Sequence, residues 1–484
     1  MFRIFIISAP PPLSSPVEGE EFSGYRKGDK GGFPLSASDS SSPSRYYSFT
    51  SKANFVVLQL ILCFLLTLSF HPLAGCSTIH SGQRADSSRS IHPEQKNNQQ
   101  ESLTISPDSG EFLQNPKLLE RILEGPHNYF RFINMKFAEA VCLRFQKELG
   151  VIPNVNLHGD AHLENYAVTD RGRGLTDFDD ATIGPMVLDL VRFGVSIHLA
   201  CRANGWQDKA ESIVKSFLSS YGAALENPEL TIPPPELVRR IRARFTTDTD
   251  RLLKADEELM EPLGEPLENF KTQFEQFVDQ MKVRYPDLPP YFFEMKKAGR
   301  LKVGIGSALD EKYLVEVEGA TKAREDNLLL EIKGVTDLRG ISCILLRKAK
   351  SMRPIVIQAL LAYKPYRYTG FIIVPRTEGS GKEKEFWVHE WYYNYHELSI
   401  RTSFQTPRDI DEIAADVGVQ LGLGHPRHIS DTDSRGLRAT MASTLEKYRE
   451  EIEQTIIDLT QKTIAAWDQF RAEVSKQKTS INRK

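Results

Sequence analysis

The residues of this chain best suited to chemistry lie between Asn156 and Arg192. The run reads N-L-H-G-D-A-H-L-E-N-Y-A-V, then a polar turn, then L-T-D-F-D-D-A-T-I-G-P-M-V-L-D-L-V-R. A strand-like apolar approach stops at His158-Gly159-Asp160, and Asn165 follows five residues after Asp160. Tyr166 to Val168 and Gly174 to Thr176 are spaced to pair as a short hairpin around the turn from Thr169 to Arg173. Such a hairpin brings Asn165 at one end beside Asp177 at the other. One carboxylate aimed at a hydroxyl, with an amide and a second carboxylate holding Mg²⁺, is the apparatus of phosphoryl transfer.

Two other readings compete for the same residues. His158, Asp160 and His162 alternate, and imidazole with carboxylate can ligate zinc or iron in a metal-dependent hydrolase. Such a site wants further histidines, and outside this run only His425 and His428 cluster. Asp177, Asp179 and Asp180 could equally form a solvated acidic turn. The Asp160–Asn165 spacing upstream, with Gly184-Pro185 and Asp189 downstream, favours phosphoryl transfer over both.

These motifs resemble the catalytic segment of aminoglycoside and choline-type phosphotransferases, which have the protein-kinase-like fold. A closer resemblance is to the bacterial family catalogued as domain of unknown function 2252, through G-D-x-H-x-x-N, D-F-D-D, G-P and D-L-x-R. The resemblance covers roughly Gly125 to His428. It implies that Asp160 is the catalytic base, that Asn165 and Asp177 are metal ligands, and that Mg (or Mn) and ATP are the cofactors. It further implies that His158, His162, Asp179, Asp189 and Arg192 brace the site. That family has no settled activity, so the resemblance speaks to fold more than to reaction. Arg131, in an aromatic-Arg segment similar to the family's, could contact a phosphate or make a structural ion pair.

The elements that must position these residues change character along the chain. Pro116 to Leu149 is helical in pattern, and helices are expected over Val187–Asn204, Asp208–Leu225, Pro235–Lys254 and Leu267–Arg284. Strand-like runs follow: Leu301–Ser307, Lys312–Val317, Leu328–Ile332, Ile355–Leu361, Gly370–Val374 and Phe386–Trp391. A long amphipathic helix running through Leu445, Ile456, Phe470 and Val474 closes the chain. The fold class is therefore α+β. Only about 40 structured residues precede His158, too few for a kinase small lobe. The candidate phosphate loop, Gly304, Gly306 and Ser307, and the candidate strand lysine, Lys333, come afterwards. The resemblance then implies a bilobal, circularly permuted kinase-like fold, which nearby domain termini permit. Asp310 and Glu311 stand where a later loop glycine is expected, and Gly334 where the family tends to have Glu. Negative charge beside a phosphate loop weakens nucleotide binding.

A net charge of −3 over 484 residues offers nucleic acid no overall attraction. Residues 1–50 are rich in Ser, Pro and Gly and are expected to be disordered or a mis-called extension. Phe55 to Phe70 is a 16-residue apolar run ending at Leu73-Ala74-Gly75-Cys76, so 51–75 has the form of a signal peptide. Leu-Ala-Gly-Cys resembles the bacterial lipobox, which implies lipidation at Cys76 and a membrane anchor. Ser77 after it resembles the pattern for outer-membrane sorting, facing the periplasm. Residues 76–115 read as a polar tether, 116–299 as the catalytic helical lobe, 300–400 as the β-rich lobe and 401–484 as C-terminal helices. Cys142, Cys201 and Cys343 sit in apolar contexts and are expected to be buried thiols rather than a disulfide framework. The leading expectation is a phosphotransferase acting on a hydroxyl of a small or envelope molecule. The runner-up is a catalytically silent kinase-like lipoprotein that binds a ligand or partner. The acceptor and the oligomeric state are not encoded in any motif. Cys76→Ala should leave an unlipidated precursor, read by mass spectrometry of the membrane fraction; a mature N-terminus upstream of Phe55 would contradict the export reading.

Overall fold

Helix α1 (Pro116–Leu123) begins where the Asn115 side chain accepts the Leu118 amide at 3.2 Å, with Pro116 at a position whose N–H has no helical partner. It leads into α2 (Pro126–Phe132) and α3 (Asn134–Arg144). The computed structural model describes residues 102–109, 112, 115–246, 248–263, 267–301, 311–336, 338–344, 353–363, 366–374, 384–427, 429 and 434–481. All of these fall in one compact unit, His92–Lys484. The expected phosphate loop Gly304, Gly306 and Ser307, and Cys76, lie outside the described residues.

The chain then makes β1 (Asn154–Leu157), β2 (Tyr166–Thr169), β3 (Arg173–Leu175) and β4 (Thr182–Pro185). The expected hairpin forms, with Tyr166 opposite Leu175 and Val168 opposite Arg173. β1 pairs antiparallel with β4, so the segment between them is a closed excursion. Next come α4 (Val187–Ala203), α5 (Ala210–Glu226), α6 (Glu236–Arg242) and α7 (Thr249–Glu257). Of α4, only Arg202, His198 and Ala203 escape burial, as befits a helix apolar on nearly every face. A helix was expected over Pro235–Lys254, but it breaks into α6 and α7. The break is pinned by Thr246, whose amide and carbonyl both bond the Asn394 side chain.

The β-rich part holds β5 (Met260–Glu261), α8 (Leu267–Arg284), β6 (Met295–Leu301), β7 (Lys312–Val317), β8 (Leu328–Gly334), α9 (Arg353–Tyr363), β9 (Gly370–Val374) and β10 (Lys384–Trp391). Its strands form one antiparallel six-stranded sheet in the order β5-β6-β7-β8-β10-β9. Period-two alternation divides β8 between two faces. Leu330 and Ile332 join Phe274, Phe277 and Val388 in a core beneath α8, whereas Glu331 and Lys333 face the other way. Each fully buried Phe there contributes about 2 kcal/mol of transfer free energy. Ile355–Leu361, expected as a strand, lies inside α9. Its β-branched start suggested a strand, but Pro354 at the helix start and the Ala359–Ala362 run favour a helix.

The chain closes with β11 (Tyr395–Glu397), which pairs with β2, then α10 (Pro407–Gly424) and α11 (Ser434–Ile481). Thr406 and Asp409 form a capping box at the start of α10. Gly418 and Gly422 let that helix touch the backbone of α5: a Cβ at these sites would lie 2.4 Å from the Phe217 carbonyl oxygen and 2.6 Å from that of Tyr221. The helices share a large apolar core that includes Phe130, Val191, Phe217, Ile413 and Ile456, distinct from the core under the sheet. The chain is thus mixed α+β with open sheets.

Cys142, Cys201 and Cys343 do not all remain thiols. Cys142 on α3 and Cys343, 201 residues later, form a disulfide, and Cys201 is a buried free thiol. The expectation of three thiols fails because the partners meet only through tertiary packing, which sequence spacing does not reveal. The bond ties the segment after β8 to the helical core. Cys142→Ser should destabilise the protein by about 2–4 kcal/mol, lowering the melting temperature by several degrees. Wild-type protein melted in reductant should match the variant; identical melts for all three would show that the bond contributes nothing.

Candidate functional site

The loop after β1 is held by one buried carboxylate. Asp189, 1 % exposed at the start of α4, accepts the His158 and Gly159 amides at 2.6 and 3.0 Å. His425 reaches the same carboxylate at 3.2 Å through Nε2, and its Nδ1 lies 2.8 Å from the Tyr221 hydroxyl. A helix N-terminus favours a carboxylate, and two charge-assisted bonds fix the loop backbone. Gly159 has φ of +83°, and a Cβ there would lie 1.8 Å from the Asp180 carbonyl oxygen, so only glycine fits.

His158 joins this loop to the hairpin. Its Nε2 lies 2.7 Å from the Thr176 carbonyl oxygen, and Nδ1 accepts the Asp160 amide at 3.3 Å. Because the carbonyl can only accept, the proton sits on Nε2. Both ring nitrogens are therefore committed to backbone, which leaves none for the metal ligation a hydrolase needs. Among the described residues, no group of three or more His, Cys, Asp or Glu is arranged to hold a metal ion.

Asp160 is mostly buried and faces Arg192 and His162. Arg192 Nε donates to Asp160 Oδ1 at 2.6 Å, its Nη2 also pairs with that carboxylate, and the guanidinium lies over the Phe130 ring at 4.2 Å. His162 Nε2 lies 3.5 Å from Asp160 Oδ2. Burial pushes the Asp160 carboxyl up, but Arg192 and His162 outweigh it and hold the group well below the usual range. Asn165, 3 % exposed, donates to the Asp160 carbonyl at 2.9 Å, and its own carbonyl accepts the Thr176 amide at 2.8 Å. The structure thus brings together His158, Asp160, Asn165, Asp189 and Arg192. Arg131 makes an ion pair with Glu164 at 3.0 Å.

Asp177 follows Thr176 in a left-handed conformation, φ 62° and ψ 62°, which Asp tolerates better than most residues. Its amide donates to the Tyr366 hydroxyl at 3.0 Å. Phe178, fully buried, packs its ring against His158 and Tyr363. With that ring fixed below, Asp177 and Asp179 flank it and both meet Lys333 from the six-stranded sheet. Lys333 Nζ pairs with Asp177 and lies 2.8 Å from Asp179 Oδ2. The indole of Trp387, opposite Lys333 on β10, donates to Asp179 Oδ1 at 2.8 Å. The Thr336 amide, just past β8, bonds the Asp179 carbonyl at 3.2 Å.

The charges explain the protonation states. Burial raises all three aspartates. Lys333 overcomes this at Asp177 and holds it well below its usual range. Asp179 is pushed up to about 7 by burial and by its charged neighbour Asp177, against the pull of Lys333. Asp180 rises well above its usual value under burial and the charge of Asp160, more than the pull of Arg192 offsets. Lys333 is 4 % exposed, yet Asp177, Asp179 and Glu331 more than offset its burial and keep it protonated.

Sequence reasoning missed Glu331, Tyr366, Trp387 and His389. His389 Nε2 lies 3.0 Å from Glu331, and its ring contacts both Tyr366 at 3.9 Å and Trp387 at 4.4 Å. The signal available was alternation: with Lys333 opposite Trp387, period two puts Glu331 opposite His389. Glu311, feared as a repulsive charge, pairs with Lys384 at 2.6 Å.

Residues 116–233 match the family model described as "Uncharacterized protein conserved in bacteria (DUF2252)", so that segment is similar to that bacterial family. The matched span contains Asp160, Asn165, Asp177, Asp189 and Arg192 but stops short of Lys333. No curated protein and no solved structure matches the chain.

Burial lowers the His162 imidazole to about 4, against the raising effect of Asp160, so the native ring is neutral. As pH falls from about 6.5 to about 4, the unfolded chain binds a proton there that the native state refuses, and stability is lost. Urea denaturation should show wild type losing roughly 2 kcal/mol more than His162→Gln between pH 7 and pH 4.5. Equal losses would mean that His162 takes up its proton as readily in the native state as in the unfolded chain.

Proposed function

We propose that this protein is a phosphotransferase of the protein-kinase-like kind with its two lobes in permuted order. One observation carries the reading: Lys333, on the third strand counted from β6, meets Asp177 at the exit of the β2–β3 hairpin that follows Asp160 and Asn165. In kinases a lysine on the third strand grips nucleotide phosphates, and the equivalents of Asn165 and Asp177 hold the metal. The candidate phosphate loop of Gly304, Gly306 and Ser307 follows β6 in the sequence and lies outside the described residues.

The donor set suits a hard cation. Asp177 and Asn165 offer side-chain oxygens, and Asn165 Nδ2 is already spent on the Asp160 carbonyl, which leaves Oδ1 as its free acceptor. When bound, Mg²⁺ would neutralise the phosphate charge that develops during transfer. Asp160, kept ionised by Arg192, would orient the acceptor hydroxyl more than take its proton, because so weak a base removes protons poorly. Asp189, His158 and Gly159 would hold that carboxylate in place, and Lys333 would bind the nucleotide phosphates. The Cys142–Cys343 disulfide supports an oxidising compartment, in keeping with an envelope lipoprotein anchored through Cys76.

A second reading has its own support. Lys333 already neutralises Asp177 and Asp179, so a silent kinase-like scaffold needs neither metal nor nucleotide. Thermal shift separates the two. Mg²⁺ should raise the melting temperature, and ATP with Mg²⁺ should raise it further, by about 2.7 kcal/mol of stabilisation at a hundredfold excess over Kd. Asp177→Asn should abolish the metal shift, and Lys333→Ala the nucleotide increment. No shift with either ligand would leave the scaffold reading standing.

A further inference from the structure

We propose that Lys333 is also a resident counter-ion: its ammonium, held by Asp177 and Asp179, must be displaced from Asp177 before a metal can bind that carboxylate. This rests on the cation site of the phosphotransferase reading but adds a competition that the reading does not require.

The geometry gives the ammonium two roles that exclude each other. It pairs with Asp177 and lies 2.8 Å from Asp179, and Asp179 is itself held from its other oxygen by Trp387 at 2.8 Å. Trp387 therefore fixes the Asp179 carboxylate, and Thr336 and Tyr366 hold the backbone of Asp179 and Asp177, while the long lysine stem can move. The Asp177 side chain is 35 % exposed while that of Lys333 is 5 % exposed. A cation arriving from solvent thus reaches Asp177 on its open side and meets the ammonium on the other. Two positive groups sharing one carboxylate in a partly desolvated site repel strongly, so the ammonium must move.

The structure also supplies a place for it to go. Glu331 lies two residues earlier on the same face of β8, 7 % exposed, with His389 Nε2 3.0 Å away. Lys312, opposite Lys333 on β7, shares that face of the sheet, as does Glu316, which lies opposite Leu329 and accepts from the Asn327 side chain. Lys312 also pulls on Asp177 electrostatically but adds repulsion toward any incoming cation. A swing of Lys333 from Asp177 toward Glu331 would leave it charged and paired in both positions. Metal alone would then bind weakly, and nucleotide phosphates, by attracting the released ammonium, would favour metal binding.

Isothermal titration with MnCl2 alone tests the competition. Lys333→Met should bind Mn²⁺ at least tenfold more tightly than wild type, and Asp177→Asn added to Lys333→Met should remove the gain. Should Lys333→Met fail to fold, Glu331→Gln carries the test: without a carboxylate to receive the ammonium, it should bind Mn²⁺ severalfold more weakly than wild type. Equal or weaker Mn²⁺ binding by Lys333→Met, or Mn²⁺ binding by Glu331→Gln as tight as that of wild type, would overturn the competition and leave the cation site intact. Mn²⁺ binding to neither protein would overturn both.

Discussion

A lysine ammonium with 4 % of its surface exposed stays charged only against carboxylates, and Lys333 has Asp177 and Asp179 at contact and Glu331 on the same strand face. Removing an ammonium from water costs several kcal/mol. A single carboxylate about 4 Å away offsets about 4 kcal/mol at an effective dielectric of 20. One partner is therefore close to break-even and two are needed. That requirement couples the six-stranded sheet to the short hairpin: β8 supplies the lysine, and the turn after β3 supplies both aspartates. Trp387 and Thr336, from the sheet side, bond the same aspartate.

On the hairpin side the constraint passes through backbone. Asp189 ties down the His158 and Gly159 amides, and His158 ties Asp160 to Thr176, the residue before Asp177. Asn165 closes the loop by bonding both Asp160 and Thr176 backbone. The side chains of Asp160 and Asp177 are thus set by a ring of hydrogen bonds among buried groups. Such fully engaged networks specify a single arrangement, and cutting one link leaves a buried polar group without its partner. The site is rigid where the proposed chemistry needs orientation, and the long lysine is its most easily moved member.

Much of this was legible in residues 156–192, because local spacing carries it: the hairpin, the Asp160–Asn165 interval and the helix beginning after Gly184-Pro185 are short-range features. Helix α8 could be read from apolar periodicity alone, and it spans Leu267–Arg284 as expected. What could not be read is long-range. The Cys142–Cys343 bond joins residues 201 apart, and Tyr366 and Trp387 reach the site through sheet register and the path of the chain after α9. The strand expected over Ile355–Leu361 failed for a different reason: β-branched residues at a helix start carry a local preference that packing against β1, β4 and β10 overrides. Lys333 could be named as a candidate from its strand, but not its pairing with two aspartates.

The account turns on whether the oxygens of Asp177 and Asn165 hold a metal that carries nucleotide phosphate toward Asp160. Anomalous diffraction from crystals grown with Mn²⁺ and a non-hydrolysable ATP analogue addresses this most directly. The account predicts a manganese peak about 2.2 Å from an Asp177 carboxylate oxygen, in the range for hard cations on oxygen ligands, with Asn165 Oδ1 in the same shell and Lys333 turned onto phosphate. A manganese peak elsewhere, or density in which Lys333 still lies between Asp177 and Asp179 with no nucleotide beside it, would contradict it.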